Sequence, residues 1–415
     1  MRLAANPLQE AQSAAPEVAE RVGYGSAPAS GPAGARMPHP DDHVRNLPAP
    51  PVLKPYILIS KSNQMEKRMK RRILFIIAIC LCHGPVFKGY SQARGNQSKL
   101  QQNAARPKKP AEKTNQAPKT VAHGRPLDAA AWSAARRFAE TPFGKIAYVE
   151  RGSGDAALFL HGFPLNGFQW RGALDRLSAY RRCVAPDFMG LGYSQIPEGQ
   201  SLAPDAQVAM LAALLDSLSI SAVDLVANDS GGAVAQLFVV RHPKRVRTLL
   251  LTNCDVETDS PPPALLPVIE MARAGTFVDK WFVPWVADKT LARSAEGLGG
   301  QTYTFRVNPT DEAVDYYLAP LVSSPQRKAQ VHAYAIALEP NPLAGVEKEL
   351  KRCAAPARIV WGTGDDIFSQ KSPDYLDQIL PNSRGVRRVE GARLFFPEEF
   401  PDIIADEARR LWGIR

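Results

Sequence analysis

Two residues able to attack carbon, Asp229 and Ser230, stand side by side in the run Val223-Asp224-Leu225-Val226-Ala227-Asn228-Asp229-Ser230-Gly231-Gly232-Ala233. Val223, Leu225 and Val226 predict a buried strand ahead of them, and Ala233 to Val240, free of Gly and Pro, predicts a helix behind. Ala227, Gly231 and Gly232 are small enough to let strand and helix backbones meet at the turn between. That is the geometry of a nucleophile elbow, which thrusts one side chain out at a helix N-terminus. The small-x-nucleophile-x-small spacing favours Asp229 at the tip. A rival register places Ser230 there, with Asn228 where a small residue is wanted. A plainer alternative is an Asp that only caps the helix.

The elements that must position such a turn follow from residue 127 onward. Strands are expected at Gly144 to Glu150, Ala156 to Leu160, Arg182 to Pro186, Val246 to Thr252 and Ala357 to Trp361. Helices are expected around Phe168 to Tyr180 and Ala203 to Leu218, where Val208, Leu211, Leu214, Leu215 and Leu218 fall at helical spacing. Strands alternating with helices argue for a mostly parallel sheet covered on both faces. After Asn253 the pattern changes. Residues 256–350 carry Pro261-Pro262-Pro263 and then helical segments such as Ala264 to Ala274 and Glu312 to Ala319, without strand alternation.

His161-Gly162-Phe163-Pro164 with Trp170-Arg171, then Pro186-Asp187 with Gly190, Gly192 and Ser194, then Asn228-Asp229-Ser230-Gly231-Gly232, together resemble the α/β-hydrolase superfamily. Within it they are similar to the haloalkane dehalogenase and epoxide hydrolase branch, from about residue 140 to the C-terminus. The resemblance implies an α/β-hydrolase fold: a mostly parallel central sheet, helices on both faces and a helical cap inserted after the sixth strand. It implies Asp229 as nucleophile, displacing a leaving group from an sp³ carbon to form an ester on its own side chain. The backbone N–H groups of Phe163 and Ser230 would form the oxyanion hole. Asp365, in Gly362-Thr363-Gly364-Asp365-Asp366, would be the acid that orients the catalytic His, with Asp366 as runner-up. Cap aromatics would bind the leaving atom, with Trp281, Tyr316 and Tyr317 as candidates; aromatics at helical spacing also serve as core packing.

Two positions depart from the pattern. Dehalogenases usually carry Trp directly after the nucleophile, where this chain has Ser230. The segment Gly391-Ala392-Arg393-Leu394 with Glu398-Glu399 and Pro401 places Leu394 where the family has its catalytic His, and no His lies beyond His332. His161 belongs to the His-Gly turn, His242 ends the elbow helix, and His332 lies in the cap. Leu accepts no proton, so a chain relying on Asp229 and Leu394 alone would form the ester and stall. Three readings stay open: an Asp-nucleophile hydrolase with a displaced base, a ligand-binding module that keeps the pocket, and a Ser230 esterase. Leu394, alone or together with Arg393, is expected to fill the space left by the His; with Arg393 there, an Arg393–Asp365 ion pair would replace the orienting role by a structural one. No cofactor or metal is implied, and the expected partner is a small-molecule substrate.

Composition divides the chain near residue 126. Of 51 basic and 41 acidic residues, 20 and 7 fall before residue 127, leaving 31 and 34 in the body. The basic character therefore belongs to the leading segment, and the body has no general attraction for nucleic acid. Residues 1–64, rich in Ala, Pro and Gly, read as disordered. Residues 65–93 read as a secretory signal: Met65-Glu66-Lys67-Arg68-Met69-Lys70-Arg71-Arg72, an apolar run from Ile73 to Cys82, then Ser91-Gln92-Ala93. The run is too short for a transmembrane helix, which needs about 20 residues, so no stable membrane insertion of the mature domain is expected. Residues 94–126 read as a flexible basic linker. The remaining cysteines, Cys183, Cys254 and Cys353, imply no disulfide framework. The protein is expected to be exported if the signal is used, and cytoplasmic otherwise. Because a signal stands at an N-terminus, translation is expected to start at Met65 or Met69. N-terminal sequencing of protein made from the native gene checks this; a mature chain beginning at Met1 would contradict it.

Overall fold

The computed structural model describes residues 127–414. The leader, the signal-like segment and the linker expected over residues 1–126 lie outside the described residues. Eight strands form one sheet: β1 (Arg137–Thr141), β2 (Gly144–Arg151), β3 (Ala156–Leu160), β4 (Arg182–Pro186), β5 (Val223–Asp229), β6 (Val246–Cys254), β7 (Ala357–Gly362) and β8 (Ser383–Val389). Their order is β1-β2-β4-β3-β5-β6-β7-β8. The β1–β2 and β2–β4 pairs are antiparallel, and every pair from β4–β3 to β7–β8 is parallel.

The centre of the sheet explains why its strands read as unbroken apolar runs. Every residue of β3 and β5 is buried, as expected of parallel strands covered on both faces. Helix Arg171–Leu177 packs against Pro401–Leu411, and Pro204–Ser217 against Ser230–Arg241. The edges are built differently. No residue of β8 is fully buried, and Arg384, Arg387 and Arg388 lie along it. Arg387 and Arg358 hold the buried Glu407 of the last helix at 2.8 and 2.6 Å, while like charges along the strand discourage pairing with another chain.

The chain leaves the sheet after β6 and returns at Ala357. Between them lie helices and turns, the longest helices being Asp311–Val322 and Pro325–Ile336, so the helical insertion follows the sixth strand. The helix read over Ala264 to Ala274 is a 3-10 turn at Pro263–Leu265 followed by an α-helix at Leu266–Arg273. Proline inside the first turn fits because the N–H it lacks has no intrahelical partner there.

The joint between β5 and the helix Ser230–Arg241 requires close backbone approach. A Cβ on Gly231 would stand 2.5 Å from the carbonyl oxygen of His161 and 2.8 Å from that of Leu160. Both obstacles are backbone and cannot rotate away. Gly231→Ala should therefore cost about 1–3 kcal/mol, as overpacking does, seen as a lower urea midpoint at unchanged slope. An unchanged midpoint would mean that the helix can retreat from β3 at no cost.

Candidate active site

Asp229 ends β5 with φ 55° and ψ −134°, and Ser230 begins the helix. This left-handed backbone is strained for a residue with a Cβ, by about 1–3 kcal/mol. Asp229 thus holds the apex of the turn, and Ser230 is the first helical residue. The Asp229 carboxylate provides no helix-cap hydrogen bond. Instead Oδ2 accepts from the backbone N–H of Phe163 at 2.7 Å, and the nearby N–H of Ser230 favours the charged form of the carboxylate. Gly162 makes room for this: a Cβ there would stand 2.6 Å from Oδ2.

A buried amide network fixes the loops around the turn. Asn228 Nδ2 donates to Thr252 Oγ1, to the Asn253 carbonyl and to the Leu394 carbonyl at 2.9, 3.2 and 3.1 Å. Its Oδ1 accepts from Gln169 Nε2 at 2.7 Å, and Gln169 Oε1 accepts from the N–H of Gly162 at 3.0 Å. Asn253 extends the network to Asp365 Oδ2 at 2.7 Å and to both polar groups of the Gly362 backbone. An asparagine beside the turn, where a small residue is wanted, ties β6, the Leu394 loop and Gln169 to one strand end.

Above the turn lies a cavity of about 110 Å³. The space suits a small organic molecule. Phe163, Trp281, Phe282, Trp285 and Leu394 supply apolar walls, and Asp229, Ser230, Asp255, Gln301 and Thr302 are its polar members. Trp281 therefore stands where a ligand would contact it. Tyr316 and Tyr317 do not line the cavity. Tyr316 Oη bonds to Ser133 and Arg136, and Tyr317 Oη donates to Glu398 at 2.9 Å. Both rings pack on Phe168, so their helix spends these aromatics on packing against the sheet domain.

The residues lining the cavity include no histidine. His161 lies in the core, where Nε2 accepts from the N–H of Phe188 at 2.9 Å and Nδ1 faces the Gly162 carbonyl at 2.9 Å. Burial lowers its pKa to about 4, so it stays neutral and holds the turn. His332 accepts from the N–H of Val278 at 3.3 Å, away from the two acids. The expected Arg393–Asp365 pair does not form. Arg393 reaches Asp366 at 2.6 Å and the Gly364 carbonyl at 3.1 Å. The carboxylate of Asp365 is already engaged, by Asn253 and by the Ile367 N–H at 3.0 Å.

One cavity residue was not legible as a candidate. Asp255 follows β6 directly, is 4% exposed and lines the cavity. The polar run Thr252-Asn253-Cys254-Asp255 at the carboxyl end of a central parallel strand was the available signal, because ligands bind at such ends. Three carboxyls are thus buried together. Burial, then the charge of Asp255, pushes the pKa of Asp229 well above the usual carboxylate range, against the pull of the Phe163 N–H. Burial raises Asp255 to about 7 and Asp365 to about 6.

Residues 156–400 match the family described as the alpha/beta hydrolase fold. Haloalkane dehalogenase 2 of Mycobacterium tuberculosis is 26% identical over 301 residues, covering 65% of this chain and 92% of that protein. Epoxide hydrolase 3 of Mus musculus is 25% identical, covering 62% and 71%. A 2-hydroxy-6-oxo-2,4-heptadienoate hydrolase of Pseudomonas putida is 40% identical over 103 residues, which span 24% of this chain and 37% of that protein. A solved ligand-free epoxide hydrolase superposes with a TM-score of 0.57 at 20% identity, over 67% of this chain and 98% of the other, a likeness of fold. By the extent of these matches, the chain belongs to the α/β-hydrolase family, in its dehalogenase- and epoxide-hydrolase-like branch.

Proposed function

We propose that this chain is a hydrolase whose Asp229 carboxylate attacks an electrophilic carbon of a small, largely apolar substrate and carries it as an ester. The observation that carries this reading is the placement of Asp229: at a strained apex on the cavity floor, with Oδ2 2.7 Å from the Phe163 N–H. The other oxygen, Oδ1, attacks, and the bond from carbon to the leaving atom breaks as the C–O bond forms. The Phe163 and Ser230 N–H groups then hold the ester oxygen and stabilise the oxyanion that forms when water adds. The helical insertion acts as a cap, with Trp281 as its aromatic contact to substrate.

The leaving atom is oxygen rather than halogen. Ser230 Oγ and Tyr334 Oη lie 3.2 Å apart beside Asp229, and burial raises the pKa of Tyr334, so a neutral phenol is at hand to supply a proton through Ser230. An opening epoxide needs that proton; a departing halide does not. Relatives that include an epoxide hydrolase support the class. A Ser230 esterase is the weaker reading, since Ser230 stands inside the helix and no imidazole is near it.

Incubation with a panel of small terminal epoxides and chloroalkanes, followed by intact-mass spectrometry, tests the proposal. The wild type should gain one substrate mass per chain with epoxides, or turn them over, and Asp229→Asn should do neither. Labelling that persists in Asp229→Asn and disappears in Ser230→Ala would overturn it. Reversible binding without labelling or turnover would identify a ligand-binding module.

A further inference from the structure

We propose that Asp255 takes the proton from the water that hydrolyses the Asp229 ester. This rests on the reading of Asp229 as nucleophile. The cavity needs such a group because no histidine lines it, and Leu394, where the family resemblance would place the imidazole, accepts no proton.

Geometry favours Asp255 over every other acid nearby. In the β5–β6 ladder Asp229 stands level with Cys254, and adjacent strands are about 4.8 Å apart, so Asp255 is the next residue along the neighbouring strand. It lines the same cavity as Asp229. Ser260 Oγ donates to its Oδ1 at 2.8 Å and holds the carboxyl in place. Gln236 Nε2 fixes its backbone carbonyl at 2.7 Å. Asp365, the other buried acid, does not line the cavity and has both oxygens occupied by Asn253 and Ile367.

The step balances without another reactant. Water adds to the carbonyl carbon of the Asp229 ester, and its proton passes to the Asp255 carboxylate. The resulting oxyanion faces the Phe163 and Ser230 N–H groups. On collapse the C–O bond to the substrate breaks, and the departing alkoxide takes the proton back from Asp255 to leave as an alcohol. Asp229 is released as a carboxylic acid, which ionises to begin the next cycle.

The electrostatics suit that stage. The causes that set Asp255 at about 7 are burial, Ser260, its own backbone N–H and the charge of Asp259. The charges of Asp229 and Asp255 raise one another's pKa while both are present, and esterification removes that of Asp229. Tyr334, beside Ser230, is neutral again once it has recovered from solvent the proton given to the epoxide oxygen, and the raised thiol of Cys254 is neutral too. Hydrolysis of the ester should therefore accelerate with rising pH and level off above about 7.

The test follows formation and decay of the adduct in wild type, Asp255→Asn and Asp255→Glu with one small epoxide, over pH 5–9. Asp255→Asn should label Asp229 stoichiometrically, keep the adduct, and turn over about 10²–10⁴-fold more slowly, the range a general base contributes. Asp255→Glu should recover part of that loss, and the pH step in adduct decay should be absent from Asp255→Asn. Misfolding does not confuse the outcome. A carboxyl whose pKa is raised by folding costs stability as pH climbs from its unfolded value near 4 towards about 7. Removing it should leave the denaturation midpoint at pH 8 equal to or above wild type. Wild-type turnover by Asp255→Asn, without a lasting adduct, would overturn the role of Asp255 alone. Absence of any Asp229 adduct in both proteins would overturn the nucleophile reading, and this role with it.

Discussion

The backbone of Asp229 sits at φ 55° because strand and helix meet there with no room for a looser turn. Everything else in the site depends on holding that residue in place. The strain is modest, about 1–3 kcal/mol, but it must be sustained by contacts that leave the side chain facing the cavity. Gly231 lets the helix reach the end of β3, and Gly162 lets the Phe163 loop close over the carboxylate. The Phe163 N–H then meets Oδ2. The same contact that restrains the side chain would hold the oxygen of an ester formed on it.

Asp229 would be far costlier to bury without the Phe163 N–H that its carboxylate accepts from. An isolated charge in such a place would neutralise itself by a shifted pKa, and the shift is seen at all three acids. Asn228, Asn253 and Gln169 do not touch the Asp229 carboxylate. They anchor the loops that carry Gly162, Gly362, Asp365 and Leu394. Asp365 is consequently held through both oxygens, by Asn253 and by the Ile367 N–H. A carboxylate that in a chain with a catalytic histidine would orient it is here bound to an asparagine and to a loop N–H. Asp255 is the carboxyl that remains both buried and presented to the cavity.

Much of this was legible in the sequence because burial writes itself as unbroken apolar runs. β3, β4, β5 and β7 were placed to within a residue or so, and the turn at Asp229 followed from the small residues around it. β8 was not legible: an edge strand whose residues are half exposed and whose arginines serve ion pairs has no apolar period. β1 was missed for a related reason, with one buried residue among five. Tyr316 and Tyr317 illustrate a different limit. Spacing shows that an aromatic is on a helix, and only packing shows whether it faces ligand or Phe168. Asp255 was overlooked because a lone acid after a strand commonly caps a turn, and its partnership with Asp229 arises from a ladder register that the sequence does not spell out.

The central claim is that Asp229 becomes covalently bonded to substrate carbon and is freed by water attacking its own carbonyl. A single turnover in ¹⁸O-labelled water, with enzyme in excess over a small epoxide, tests it most directly. Attack at the ester carbonyl leaves one labelled oxygen in the carboxyl of Asp229, and the peptide that contains it should gain one ¹⁸O while the first product carries unlabelled oxygen from the side chain. Label confined to the product, with the Asp229 peptide unchanged, would mean that water attacks the substrate directly and would contradict the account.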